Sequence, residues 1–394
     1  MFYELASSSW GDEEYQAIQQ VIASDCLTMG DNVRKFERRF ADKFSMQHAV
    51  MVSSGSSANL VSVAALFHMQ ERPLQRGDEV IVPAISWATT YYPLQQYGLK
   101  LRFVDVDLDT LNMDVTQLER AITPKTRMLV AVNILGNPAP LGVLREFCDR
   151  HQLYLFEDNC ESMGAELNGK KCGTFGDINT FSLFYSHHIS TIEGGLILTN
   201  NEELYHLALS LRAHGWVRDL PEDTKLCYRS EDTFAEAYRF ILPGYNARPM
   251  EISGAVGVAQ LKKLDSMLAV RRNNALYFQE RFKDDSRFII QKENGKSAWF
   301  SFTMIVHPQS ALSRKKVFEV LRQSDIGFRM ITGGNFLRHD VIKYFDYDTV
   351  GEIRNANIAH DNGFFVGNHP RDIRPQIDRL HKALSTCGGS DTGG

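Results

Sequence analysis

Short apolar runs recur through the first half of the chain, and helical patterns separate most of them. The runs lie at 49–53, 79–85, 101–106, 128–135, 153–157, 180–184 and 196–199. Amphipathic patterns at 58–69, 115–122 and 141–151 fall between them. Near-continuous apolar runs suit strands buried on both faces, and a chain that alternates strand with helix closes most simply into a parallel sheet covered by helices. Two further helices are expected ahead of this region, at 11–24 with acidic residues in its first turn, and at 33–44.

Beyond residue 200 the plan changes. A helix is expected at 202–213, then a long polar stretch to 243, then a helix that starts at Pro249 and runs to about Lys283. A strand at 299–306 and helices at 313–324 and 375–384 follow. The expected fold class is α/β, a mostly parallel seven-stranded sheet in a large domain (1–248) plus a smaller C-terminal α/β domain (249–386). The Gly/Ser-rich tail 387–394 is expected to be disordered.

With 394 residues, 43% hydrophobic and 23% charged, the composition is that of a globular protein with a large core. A net charge of −5 speaks against nucleic acid or an anionic membrane as the main partner. No apolar run approaches a membrane span and Met1-Phe-Tyr-Glu has no signal-peptide character, so a cytoplasmic location is expected. The six cysteines show neither Cys-x-x-Cys nor Cys-x-Cys spacing, so neither zinc nor an iron–sulfur cluster has support.

Four segments carry candidate chemistry. Ser53-Ser-Gly-Ser-Ser-Ala-Asn59 joins a strand to a helix, as an anion-binding turn or a simple capped turn would. Leu153-Tyr-Leu-Phe-Glu-Asp-Asn-Cys-Glu-Ser162 ends a strand in carboxylates, where α/β sheets place ligands; a helix N-cap is the other reading. Trp87 can stack on a flat ring or fill core. Pro243-Gly-Tyr-Asn-Ala-Arg-Pro-Met-Glu251 suits an anion site or a polar domain junction equally.

The order of these segments, with Phe181-Ser-Leu-Phe-Tyr-Ser-His-His-Ile-Ser-Thr-Ile-Glu-Gly-Gly195 between the last two, resembles the sugar aminotransferases of the fold-type-I pyridoxal-phosphate enzymes, to about residue 385. That resemblance implies the aspartate aminotransferase fold. It implies Asp158 on the cofactor ring nitrogen, and Gly55, Ser56 and Ser182 on its phosphate. Asn246 would come from the neighbouring subunit of a homodimer with a shared active site.

One departure decides the expected reaction. The family's cofactor-binding lysine stands six residues before the Glu of Glu-Gly-Gly, and here that residue is His187. No lysine occurs between Lys171 and Lys225. Imidazole cannot form the stable imine that a primary amine forms with an aldehyde, so pyridoxal 5'-phosphate or pyridoxamine 5'-phosphate must be held non-covalently. Histidine keeps the acid/base role alone. This resembles the dehydratase branch of the family, which removes the C3 hydroxyl of a nucleotide-linked 4-keto-6-deoxyhexose (GDP-linked, of manno configuration) on the way to a dideoxysugar of the lipopolysaccharide O-antigen. L-glutamate regenerates the amine form and ammonia is released. The branch further implies Trp87 near the ring, Glu161 by the cofactor and sugar, and His214, Arg218 and Arg248 on substrate. Asp25, Cys26, Leu27 and Thr28 match its nucleotide-sugar contact. His188 is expected to pack behind His187. An ordinary sugar aminotransferase, or a non-catalytic sugar-binding protein, would be the alternatives.

Overall fold

The computed structural model describes residues 2–387; the tail from 388 onward lies outside the described residues. Strands β1 (His48–Val52), β2 (Glu79–Pro83), β3 (Lys100–Val104), β4 (Thr126–Val132) and β5 (Tyr154–Asp158) are followed by a small hairpin of β6 (Glu166–Leu167) and β7 (Lys170–Lys171). Next come β8 (Ile178–Ser182) and β9 (Gly195–Thr199), then β10 (Phe288–Ile290), β11 (Ser301–Val306), β12 (Phe328–Arg329), β13 (Tyr347–Thr349) and β14 (Gly363–Gly367).

The seven expected strands all lie in one sheet, in the order β1-β9-β8-β5-β4-β2-β3, and β13 adds an eighth at the edge beside β3. Only β9 runs against the others. The eighth strand was not foreseen because Tyr347–Thr349 is short and exposed, and carries no apolar run. Strand ends also shifted. The run at 128–135 stops as a strand at Val132, because Leu135 adopts φ 52° inside a short turn.

Side chains alternate across this sheet, and both faces are buried. Val50, Val52, Val80 and Val82 enter one core, while Ala49, Met51 and Ile81 enter the other. A second, antiparallel sheet, in the order β10-β11-β14-β12, has its own core around Phe278, Phe302 and Phe364. The chain crosses between the two units at both ends. Tyr3 is buried in the smaller core and pairs with Ile326, while β13 returns to the large sheet.

Helices α1 (Asp12–Ser24) and α2 (Asp31–Phe44) pack on the long helix Glu251–Phe282. Gly30, the residue before α2, has no side chain with which to cap it. The buried carboxylate of Glu251 does so instead, accepting from the N–H groups of Gly30 at 2.7 Å, Asn32 at 2.5 Å and Val33 at 3.3 Å. An anion at a helix N-terminus also meets the positive end of the helix dipole. Glu251→Ala leaves these donors without an acceptor and is expected to cost about 1–3 kcal/mol. A urea unfolding midpoint unchanged from wild type would contradict this.

Candidate active site

Five strand ends meet along the carboxyl edge of the large sheet. Val52 pairs with Gly195, and Gly195 with Ser182, so the ends of β1 and β8 flank the start of β9. Asp158, ending β5, pairs with Thr180 of β8. Beyond β2, Trp87 stands immediately before helix α4 (Ala88–Gln96). Together these ends border a cavity of about 400 Å³. Gly55, Ser56, Trp87, Asp158, Glu161, Ser182 and His187 all line it, so the expected residues from four separate segments converge.

The Ser54-Gly55-Ser56 turn opens helix α3 (Gly55–Phe67), and the Ser54 hydroxyl caps it by accepting from the Ser57 N–H at 3.0 Å. Among the described residues the Gly55 and Ser56 N–H groups donate no hydrogen bond. A Cβ on Gly55 would come within 2.7 Å of the Ser182 Cβ, and one on Gly195 within 2.2 Å of the Ser54 carbonyl oxygen. The absence of side chains therefore lets the turn lie against β8 and β9. Free first-turn N–H groups with hydroxyls beside them suit a phosphate.

Asp158 is 4% exposed, and its carboxylate is fixed from several sides. Oδ2 accepts from Asn59 Nδ2 at 3.1 Å and from Thr90 Oγ1 at 2.8 Å, and Oδ1 accepts from the Cys160 N–H at 3.0 Å. Thr180 in turn donates to Asn59 at 2.7 Å. A fixed, buried anion at a cavity wall suits the protonated nitrogen of a heteroaromatic ring. The Trp87 indole, 60% exposed, offers a flat apolar face at the rim.

Among the described residues the His187 side chain makes no hydrogen bond or ion pair. Its ring stands edge-on between Phe184 and Phe300, with centroids at 5.8 and 5.1 Å, and its buried Nδ1 has no hydrogen-bond partner. Burial, and secondarily the charge of Arg271, pushes its pKa down to about 4. The imidazole is thus neutral near pH 7 and free to accept a proton. His188 is different. It is 1% exposed, and its Nε2–H donates to the Ala298 carbonyl at 3.0 Å, which places it behind the wall. No lysine lines the cavity among the described residues.

The remaining expected residues lie elsewhere. Trp216 gathers His214 (ring centroids 4.8 Å apart) and the guanidinium groups of Arg218 and Arg248 at 5.6 and 5.7 Å. Asn246 Oδ1 accepts from Arg248 Nε at 3.1 Å. The exposed segment of Asp25, Cys26, Leu27 and Thr28 lies beside this group, since Thr28 bridges to Met250. None of them lines the cavity of the same chain. Conversely, Thr90, Phe300, Thr332 and Asn368 line it and were missed, as was the role of Asn59 at the end of the Ser53–Asn59 segment. Asn59 follows Gly55 by one helical turn, a spacing that could have revealed it. Phe300, Thr332 and Asn368 come from the second unit and leave no local signal.

The matched relatives agree in length as well as sequence. GDP-4-keto-6-deoxy-D-mannose 3-dehydratase of Escherichia coli O55:H7 is 50% identical over 384 residues, covering 97% of this chain and 99% of that protein. Two solved structures of GDP-4-keto-6-deoxymannose-3-dehydratase, each 50% identical, superpose with a TM-score of 0.95 and cover 97% of this chain and all of theirs. One is a histidine-to-asparagine variant with bound GDP-perosamine, and the other holds a trapped PLP-glutamate geminal diamine.

Glu161 is the second titrating group of the cavity. Burial raises its pKa to about 7; the Leu135 N–H, donating at 2.8 Å, opposes this and the charge of Asp158 adds to it. A carboxyl raised above its unfolded value favours folding while protonated. Its ionisation therefore lowers stability as pH rises from about 4.5 to about 7. Glu161→Gln removes that slope, so melting temperatures at pH 5 and pH 8 should differ less in the variant than in wild type. An equal difference would rule the shift out. By its sequence, matched over residues 8–384, and by this site, the chain belongs to the DegT/DnrJ/EryC1/StrS aminotransferase family.

Proposed function

We infer that the chain is a pyridoxal-phosphate-dependent dehydratase. It removes the C3 hydroxyl of GDP-4-keto-6-deoxy-D-mannose, with glutamate as amino donor and ammonia as by-product. The observation that carries this reading is His187, standing where the family has lysine, in a cavity that no lysine lines among the described residues. Supporting it, half of all positions are shared with dehydratases of that name, over nearly the whole of both chains. The cytoplasmic setting expected from the sequence belongs to the same proposal.

The residues present fit the cofactor. Gly55, Ser56 and Ser182 would hold its phosphate, Asp158 its ring nitrogen, and Trp87 and Glu161 its ring. When bound, it supplies the amine that joins the sugar ketone and a ring that withdraws electrons from it. His187, neutral and without a competing hydrogen bond, accepts one proton and delivers one to the departing C3 oxygen, which leaves as water. With no amine in the wall to recapture the cofactor, the nitrogen leaves as ammonia and transamination of the sugar stops short. Phe184 and Phe300 on either side hold the imidazole in place.

His187→Asn should lower dehydration by about 10²–10⁴-fold while pyridoxal phosphate still binds. The decisive assay supplies GDP-4-keto-6-deoxymannose, pyridoxal phosphate and glutamate. Ammonia and 2-oxoglutarate should rise in step with loss of the C3 hydroxyl; an aminated sugar without free ammonia would overturn the reading.

The separation of the Trp216 group from the cavity supports the second part of the proposal. Asn246 would complete the phosphate site of a partner subunit, and His214, Arg218, Arg248 and residues 25–28 would meet the nucleotide sugar there. If so, two inactive variants should complement one another. Mixing His187→Asn with Arg248→Ala after subunit exchange would leave one intact site in each mixed dimer, restoring about a quarter of wild-type activity. No recovery after verified exchange would place these residues in their own chain's site.

A further inference from the structure

A second crevice, of about 280 Å³, opens where α2, the β6–β7 hairpin and the long helix meet. Its charged lining is Lys43, Lys171, Arg272 and Lys296 against Glu166 and Asp265. Two of the cations are neutralised. Lys43 pairs with Asp265 at 2.6 Å, and Lys296 with Glu166 at 3.3 Å. The other two are not. Lys171 donates to the Lys43 carbonyl and sits 5.7 Å from the centre of the Phe44 ring. Arg272 donates Nε to the Ser297 carbonyl at 3.0 Å and Nη2 to the Gly164 carbonyl at 2.8 Å. Neither forms an ion pair with a carboxylate among the described residues.

Four cations against two carboxylates leave the lining two positive charges in excess, on a chain whose net charge is −5. Carbonyl contacts hold these groups in place without pairing their charge, while Glu166, Glu293 and Asp265 act on Arg272 from beyond ion-pair distance. A partly enclosed, low-dielectric recess strengthens the cations' pull on an anion. A guanidinium and an ammonium, each held by a carbonyl contact, match the oxygens of a phosphate, and two charges match its dianion. The crevice also has more room than a bare phosphate fills. We propose that it binds the phosphate group of a small soluble phosphomonoester, at a site separate from the cavity at the strand ends.

The test uses the protein saturated with pyridoxal phosphate, so that the turn at Gly55 is already filled. Glucose 1-phosphate and, in a second arm, inorganic phosphate are titrated calorimetrically at low salt. The expected result is one saturable event per chain with the ester, weakened about tenfold or more by Lys171→Gln and by Arg272→Gln, with pyridoxal-phosphate affinity unchanged. Tighter binding of the ester than of inorganic phosphate shows that the remaining volume is used; equal binding assigns the site to the phosphate group alone. Absence of saturable binding in both arms overturns the proposal. So does undiminished binding in the variants, since the anion would then sit elsewhere. Should Arg272→Gln fail to fold, Lys171→Gln decides, because among the described residues that ammonium meets a carbonyl and the face of one ring and no carboxylate.

Discussion

Two adjacent carboxylates at the end of β5 organise the molecule. Strand geometry sends Glu157 and Asp158 to opposite faces, and both are buried, so each must find donors or cost several kcal/mol. Glu157 finds the N–H groups of Gly173, Phe175 and Gly176 and the side chain of Asn133, which ties the loop before β8 to the sheet. Burial nevertheless raises its pKa. Asp158 finds Asn59, Thr90 and the Cys160 N–H, which ties α3 and α4 to the same point. One carboxylate thus fixes the scaffold, and its neighbour fixes the cavity wall.

The same edge of the sheet explains how a reactive residue can sit in an apolar setting. The loop between β8 and β9 carries both histidines, but among the described residues only the His188 side chain is tied by a hydrogen bond, to the Ala298 carbonyl. That bond anchors the loop against the second unit, and Phe300 from that unit packs on both rings. Arg271 holds the Phe300 carbonyl at 3.3 Å and the Asn368 carbonyl at 2.6 Å, so the packing partner of His187 is itself held. The neutral state of His187 is a consequence of this enclosure, more than of any single charge.

Much of the large sheet was legible because its strands are buried on both faces and read as unbroken apolar runs. The short edge strand β13 was not, since an exposed three-residue strand leaves no pattern. The cavity was legible where its residues fall at strand ends or first turns, as Gly55, Asp158 and Ser182 do. Thr332, with φ 42°, and Asn368 could not be read, because nothing local marks a residue that enters a site only when two units close together.

By itself, the sequence determined the alternation that makes the sheet, the glycines that let the turn approach it, and the absence of an amine at position 187. These are local or periodic properties, set by each residue's own chemistry and spacing. Tertiary structure alone decided which residues share a wall. It put Asn59 and Thr90 on Asp158, Phe300 against His187, and the Trp216 group away from its own chain's cavity. Such placements depend on contacts between residues far apart in the chain, and chain position carries no record of them.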